Sequence, residues 1–395
     1  MMPMRGGPQT TPRDTASPRR VMIVAGEASG DIYGADLVLQ AHLLDPGLSF
    51  FGIGGARMRE AGVATLVDSA DMAVMGLVEV ISHFRVISSA FKKLKRILQD
   101  DPPELLILID YPGFNLRLAK VAKKAGVKVL YYISPKVWAW KAGRIKTIAA
   151  CVSHIAVIFP FEVPLYEKAG VPVTFVGHPL LDMVDVKLTR DDSAMSFGLD
   201  PSRKTVGLFP GSRRSEIERI LPTILESARC VQERYPDVQF VLPLASTLQD
   251  CDVLPQLTAS GITARITRDR IHDLIRACDA VISVSGTVTL EVALIGIPMV
   301  IIYKLAPLTY MLAKRLVKIE HIGLCNIVAG GTVVTELIQH EANPARISAE
   351  VVKILGNEQY ANEIKLKLSA VRSLLKRGGA SVNVARLAIS MMESP

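Results

Sequence analysis

Leu105–Ile109 is an unbroken apolar run, LLILI, and the residue that ends it is Asp110, ahead of a Tyr-Pro-Gly turn. A buried strand that stops on a carboxylate sets an acid where water is scarce, which is costly unless the charge is paired or used. Desolvation raises such a carboxylate's pKa and makes it a better general base. Asp110 is therefore the first candidate for proton transfer. The plain alternative is a carboxylate that caps or braces the Pro112–Gly113 turn.

Two further stretches share one plan of strand, small-residue turn and helix. In Gly207–Pro222, GLFPGSRRSEIERILP, a strand ends at Phe209 and Pro210-Gly211-Ser212-Arg213 leads into a helix. Glycine lets backbone approach a ligand, a helix N-terminus offers unpaired N–H groups, and an arginine fork matches a phosphate. In Asp279–Lys304, a strand runs into Ser285-Gly286-Thr287 and the following helix carries Glu291 one turn inside. A carboxylate there can accept hydrogen bonds from both ribose hydroxyls, as acids do in dinucleotide sites. Each stretch has an ordinary reading: Ser212 as an N-cap with surface arginines, and Glu291 as a complement to its helix dipole. Both on one domain predict a nucleotide site.

AGEASGD, Ala25–Asp31, is neither GxGxxG nor a Walker loop, which argues against a dinucleotide fold and a P-loop NTPase. A small-residue loop carrying Glu27, Ser29, Gly30 and Asp31 suits a polar sugar, unless Asp31 caps the next helix. Both tryptophans sit in Tyr131–Arg144, YYISPKVWAWKAGR, just past a strand end. They are core anchors, or they line a lipid-facing edge or stack on a sugar. Asp250-Cys251-Asp252 has the DxD form but follows no strand, and reads as a solvated turn. The seven histidines show no HxH or HExxH spacing, so no metal site is expected.

From Met75 to Leu98, Leu77, Val80, Ile81, Phe84, Ile87, Phe91, Leu94 and Leu98 repeat at helical spacing, with Lys92, Lys93, Lys95 and Arg96 off that stripe. The later half is expected to pack on a sheet. The first half is more apolar than a surface helix needs. Val78 adds further apolar width, and a basic amphipathic segment of this kind suits a bilayer surface.

Such side chains need rigid elements to hold them. Strand-like runs at Val21–Ala25, Leu105–Ile109, Val127–Ile133 and Ile155–Ile158 alternate with helical stretches from about Ile32 and over Leu116–Ala125. The pattern pauses over Gly177–Arg203. It resumes with strands at Thr205–Phe209, Gln239–Pro243, Ala280–Ser283 and Met299–Tyr303, helices between them, and further helices from Ile347. This predicts an α/β fold of two doubly wound, Rossmann-like domains facing a cleft. The expected division is a disordered tail at 1–20, an N-terminal domain at 21–180 and a hinge at 181–204. A C-terminal domain at 205–365 follows, then a helical segment at 366–395 that crosses back to the first domain. In open α/β sheets ligands sit beyond the carboxyl ends of the strands, where Asp110 falls.

Composition narrows the class. The 395-residue chain is 49% hydrophobic and 21% charged, with mean hydropathy +0.31. It has no run of about 18 uncharged apolar residues, so a spanning helix is not expected. Residues 1–20 lack the apolar core of a secretion signal. The five cysteines form no CxxC, which fits scattered thiols in a reducing compartment. The net charge of +8 concentrates in Phe91–Arg96, Arg117–Lys128 and Ala313–Lys318. Such runs are solvated helix faces, or they attract anionic phosphates. Aromatic residues make up 6% and do not interleave with the basic runs, which argues against a nucleic-acid partner.

AGEASGD, AVMGLVEV, IDYPGFN, YISPKVWAWK, PGSRRSEIE and SGTVTLE occur here in an order and spacing that closely resemble the lipid-A-disaccharide synthase family, bacterial glycosyltransferases of GT-B architecture. The resemblance runs from about Val21 to Leu387. It implies transfer from UDP-2,3-diacylglucosamine to 2,3-diacylglucosamine 1-phosphate, giving a β(1→6) disaccharide and UDP with inversion and without metal or other cofactor. It implies that Asp110 is the important acid and Arg213 the phosphate-site arginine. The UDP- and phosphate-binding set is then Gly211, Ser212, Arg213, Ser285, Gly286, Thr287, Glu291 and Asn326. The sugar or acceptor loop is Glu27, Ser29, Gly30 and Asp31. Gly113 departs from relatives that carry a second acid there, which sharpens the expectation for Asp110. The acyl chains account for the patch at Val78, Val80, Ile81 and Phe84. The basic runs would face anionic lipid on the cytoplasmic side of the inner membrane. Family members can pair through their C-terminal segments, so a homodimer is allowed. Other readings compete, among them a peptidoglycan glycosyltransferase, although the first loop here is not glycine-rich in that manner. A UDP-sugar epimerase shares the architecture but needs acids on both faces of the sugar ring. A membrane-bound UDP-sugar sensor would bind UDP and catalyse nothing.

Overall fold

The computed structural model describes residues 19–72, 77–138, 143–245, 247–305, 310, 320–375 and 378–393, with the backbone alone for 77–84. Residues 1–18 of the expected tail, Trp140, the basic run 313–318 and the side chains of Val78, Val80, Ile81 and Phe84 lie outside the described residues.

Two sheets organise the chain, and all the strand pairs are parallel. The first has the order β3-β2-β1-β4-β5-β6-β7: β1 (Arg19–Ala25), β2 (Leu48–Gly54), β3 (Ala64–Asp68), β4 (Leu105–Ile109), β5 (Lys128–Tyr132), β6 (His154–Val157) and β7 (Val173–Phe175). The second has the order β10-β9-β8-β11-β12-β13: β8 (Thr205–Phe209), β9 (Gln239–Pro243), β10 (Ala264–Thr267), β11 (Ala280–Val284), β12 (Met299–Tyr303) and β13 (Thr335–Ile338).

The central strands β4, β8 and β11 are buried along their whole length, as a parallel sheet covered on both faces requires. Alternate residues serve opposite layers. Met22, Val24, Leu106 and Leu108 pack with Leu94, Leu98, Phe114 and Leu118 from helices Leu77–Asp100 and Pro112–Lys124. Val21, Ile23, Leu105 and Ile107 pack with Leu37 and Val38 of helix Ala28–Leu44. Lys92, Lys93, Lys95 and Arg96 stay exposed on the first of these helices, so its later half packs on the sheet as its apolar stripe predicts. The strand order reverses between β1 and β4 and again between β8 and β11. These two switch points open the crevices where ligands bind in such sheets.

The last helix, Ala380–Glu393, leaves the second sheet and lies on helix Ala28–Leu44 of the first domain. Asp182 fixes the crossing by accepting the N–H groups of Gly379 (3.2 Å) and Ala380 (2.7 Å). Asn383 Nδ2 donates to the Val176 carbonyl at 3.0 Å, and Lys128 Nζ donates to the Met391 carbonyl at 3.0 Å.

Several bounds differ from the sequence reading. Arg19 and Arg20, assigned to the tail, begin β1 and pair with Asp45 (3.3 Å), Glu104 (3.2 Å) and Asp101 (2.5 Å). The helix expected from Ile32 begins at Ala28, and the one expected from Leu116 begins at Pro112, where a fixed φ suits the first turn. β5 stops at Tyr132, one residue short of the run, because Ile133 turns to φ +61°.

Candidate active site

β4 delivers Asp110 into a strained turn. Asp110 and Tyr111 are both left-handed, with φ +43° and +45°, a conformation that costs non-glycine residues about 1 kcal/mol or more each. The surroundings impose it. The Asp110 N–H donates to the Tyr132 carbonyl (3.1 Å), and the Asp110 carbonyl accepts from Asn115 Nδ2 (2.8 Å) and the Tyr131 hydroxyl (2.5 Å). The Tyr111 ring lies so close to Gly26 that a Cβ there would come within 2.4 Å of it. Its hydroxyl donates to the Met72 carbonyl at 3.1 Å. These contacts hold main chain and leave the Asp110 carboxylate beside the adjacent Tyr111 N–H. Burial pushes its pKa up to about 6 and Glu27 adds to the rise, while Lys136, the Tyr111 N–H and Arg144 pull the other way.

The Ala25–Asp31 loop meets this turn because Ala25 pairs with Ile109. Glu27 and Ser29 are exposed there. Gly30 is buried, with room for a Cβ only 3.2 Å from that of Ala25, so its smallness serves helix-to-strand packing. Asp31 departs from the expectation of a sugar contact. It is buried, and its carboxylate accepts the N–H groups of Gly55 (2.6 Å), Arg57 (3.1 Å) and Met58 (3.1 Å). It caps helix Ala56–Glu60, a different helix from the one expected, and its charge is spent on those three donors.

In the second domain a cavity of about 540 Å³ opens at the β8/β11 switch point. Gly211, Ser212, Arg213, Ser285, Gly286, Thr287 and Glu291 all line it. Gly211 has φ +108°, and Ser212, Arg213, Gly286 and Thr287 are exposed. Glu291 lies 3.3 Å from His272 Nε2. Asn326 is the member of the set that the structure removes. It is fully buried away from the cavity, its Nδ2 donating to the Val334 carbonyl (2.9 Å) and Glu336 (2.7 Å) and its Oδ1 accepting from Val333 (2.8 Å) and Val334 (3.0 Å). An amide with all its hydrogen bonds made inside the fold is a brace.

The sequence reading missed Glu216. Its carboxylate accepts the N–H groups of Ser212 (3.1 Å) and Arg213 (3.3 Å) and pairs with Arg213 Nη1 (3.3 Å). The helix start expected to be open to an anion is thus capped by its own third residue, the glutamate half of a capping box that has arginine at the N-cap in place of serine or threonine. Also missed were Thr267, Arg268 and Asp269, which line the cavity behind β10. Asp250 and Asp252 of the DxD stretch are taken up by Arg268 (2.8 Å) and Arg214 (2.7 Å).

Acids from the two switch points act on one side chain. Burial pushes the hydroxyl of Tyr33, from the first domain, up to about 12, and the charges of Glu291 and Asp110 add to the rise. The cavity is polar, glycine-lined and large enough for a nucleotide.

Among solved structures, a UDP-GlcNAc 2-epimerase from Neisseria meningitidis bound to UDP-GlcNAc matches with a TM-score of 0.65 at 15% identity, covering 94% of this chain and 100% of that one. A calicheamicin glycosyltransferase matches with a TM-score of 0.58 at 13% identity, covering 95% and 98%. These likenesses show the two-domain fold. A lipid-A-disaccharide synthase of Trichlorobacter lovleyi is 67% identical over 376 residues, 95% of this chain and 98% of the relative. That of Geobacter sulfurreducens is 60% identical over 373 residues, 94% and 97%. The family model described as lipid-A-disaccharide synthetase matches residues 21–386, and on this extent of agreement the chain belongs to that family.

Proposed function

We propose that Asp110 is the general base of the family's transfer reaction and that the β8/β11 cavity holds the UDP of the donor. As a member of the family the chain is a glycosyltransferase of lipid A biosynthesis, acting on a UDP-sugar donor and a sugar-phosphate acceptor. The donor is UDP-2,3-diacylglucosamine and the acceptor 2,3-diacylglucosamine 1-phosphate. The acceptor's 6-hydroxyl attacks the anomeric carbon from the face opposite UDP and gives its proton to Asp110. The bond to the β-phosphate breaks, and the charge growing there meets the Arg213 guanidinium, the Ser212 hydroxyl and the Gly286–Thr287 N–H groups. Asp110 is ionised above about pH 6, so the base is available at neutral pH. The observation that carries the reading is the desolvated Asp110 carboxylate, whose charge bears on Tyr33 together with that of Glu291 from the lining of the nucleotide-sized cavity. Identities of 60–67% to named synthases do not favour the epimerase and sensor readings.

The same reading places the protein on the anionic cytoplasmic face of the inner membrane. Helices Leu77–Asp100 and Pro112–Lys124 touch through Phe91 and Phe114, 5.6 Å apart. They expose Lys92, Lys93, Lys95 and Arg96 on one and Arg117, Lys120, Lys123 and Lys124 on the other. That basic face supports attraction to anionic lipid. Among the described residues no helix is long and apolar enough to cross a membrane. Cosedimentation with anionic vesicles, lost at high salt, is expected; indifference to lipid charge would remove the idea. The proposed homodimer is checked by sedimentation in the same buffers.

The deciding assay is UDP release from the acylated donor, with and without acceptor and without added metal. Acceptor-dependent release supports the reading. No release from folded protein that binds UDP overturns it.

A further inference from the structure

We propose that Glu162 is a positioning residue for the transfer: it holds the segment Ile133–Trp138, and with it Lys136, against the Asp110 turn. The inference rests on Asp110 being the base. Glu162 ends the short turn Pro160–Glu162 after β6 and is 2% exposed. Among the described residues its carboxylate is met by donors and not by a cation. Oε1 accepts from the Ser134 hydroxyl (2.5 Å) and Trp138 Nε1 (3.2 Å), and Oε2 accepts the Phe159 N–H (3.3 Å). Core packing alone would be served by an apolar side chain, without the cost of burying an acid. A carboxylate that bonds residues 134 and 138 together fixes the path of the three residues between them.

That path leads to the base. Tyr132, whose carbonyl accepts the Asp110 N–H, immediately precedes Ile133 at φ +61°. Ser134 is then pinned by Glu162, Pro135 and Val137 are buried, and Lys136 alone of the three is exposed, with its charge bearing on Asp110. The Trp138 ring meets Phe161 edge-on at 5.3 Å, and Phe161 stacks on Phe159 at 5.3 Å, so the anchor is firm on its far side.

The anchor also titrates near the base. Burial pushes Glu162 up to about 7, against the pull of its donors. Its titratable neighbours are Tyr166, from helix Val163–Glu167, and, across the Phe159 ring, His178, which burial holds down at about 3. Lys136 and Arg144 bear on Asp110. A proton on Glu162 weakens the charge-assisted bonds to its donors and loosens the segment. The acid limb of the rate profile then reports two protonations, those of Asp110 and Glu162.

The test uses the full chain with donor and acceptor, comparing wild type, Glu162→Gln and Trp138→Phe. Expected for Glu162→Gln is a kcat lowered roughly tenfold to a hundredfold and wild-type affinity for UDP. Its acid limb should fall from a slope approaching two to a slope of one. Trp138→Phe, which keeps the ring and removes one donor, should lower kcat in the same direction by less and keep the steeper limb. Wild-type kcat with the steep limb intact in Glu162→Gln overturns the inference, as does a loss of UDP affinity matching the loss of kcat. If Glu162→Gln fails to fold, wild-type turnover by Trp138→Phe overturns it. A wild-type protein that binds UDP and turns nothing over removes the proposed reaction itself, a result distinct from all of these.

Discussion

The end of β4 and the ends of β8 and β11 are the same kind of place, a strand-to-helix turn at a switch point, yet they are built on opposite principles. At β4 two consecutive non-glycine residues are forced left-handed, and Asn115, Tyr131 and Tyr132 hold them there through main-chain contacts. One desolvated carboxylate is the product. At β8 and β11 the turn residues, Arg213 apart, are small, mostly exposed and spread around a cavity of about 540 Å³. The first turn concentrates its chemistry in one group, and the second divides it among several contacts. The first should therefore fail abruptly on a single substitution and the second by degrees.

The largest effect expected is at Asp110. Replacing it with Ala should lower acceptor-dependent kcat by about 10²–10⁴-fold, the span of general-base catalysis. UDP affinity, measured by calorimetry, should stay as in wild type. Turnover within severalfold of wild type would dissolve the contrast and return Asp110 to a bracing role.

Asp31 sharpens the contrast, because it is also a buried acid near the same crevice. Its carboxylate serves three N–H donors of the main chain. Asp31→Ala should destabilise the fold by about 2–3 kcal/mol by leaving those donors unpaired, while kcat per folded molecule is kept. Chemical denaturation combined with active-site titration separates the two quantities. A folded but inactive Asp31→Ala protein would make it a reagent after all.

The pair also shows what the sequence could and could not reveal. Asp110 was legible because a five-residue apolar run makes its strand unmistakable, and the central strands β1, β8 and β11 were legible for the same reason. β3, β7, β10 and β13 lie at or near sheet edges, are short, and mix polarity; ATLVD, VTF, ARIT and TELI carry no clear period. β2 was hidden by the glycines within LSFFGIG. Missing β10 meant missing Thr267 to Asp269 in the cavity wall. Asp31 and Asn326 look like site residues in one dimension because their partners, 24 and more residues away for Asp31 and across a turn for Asn326, appear only on folding. Glu216 was the reverse case, a local signal present in the sequence and passed over.

Arg213 tests the divided site. It is exposed and paired with Glu216 in its own helix, a surface pair that contributes little to stability. Arg213→Ala should leave folding stability within about 0.5 kcal/mol of wild type. It should weaken UDP binding about tenfold to thirtyfold, the loss of one charge-assisted hydrogen bond. A larger loss, approaching that of Asp110→Ala on kcat, would mean that the second turn also hangs on one group.

The smallest effect separates burial from chemistry at Asp110 itself. Its folded pKa, about 6, lies above its unfolded value, so the fold favours the neutral acid. Wild-type stability should then fall as pH rises from about 4 through about 6, and Asp110→Asn, which cannot ionise, should escape that loss. Discounted for partial exposure, the variant should be more stable than wild type by about 1–2 kcal/mol near pH 8 and no more stable near pH 4. Activity runs the other way over the same interval, rising in wild type as the base ionises and staying low in the variant. Urea denaturation at the two pH values checks the first half, and a gap of equal size at both would sink the burial account of the raised pKa. The strain at φ +43° and +45° is common to both proteins and cancels in the comparison, so a pH-dependent gap can come only from the charge that the turn was built to hold.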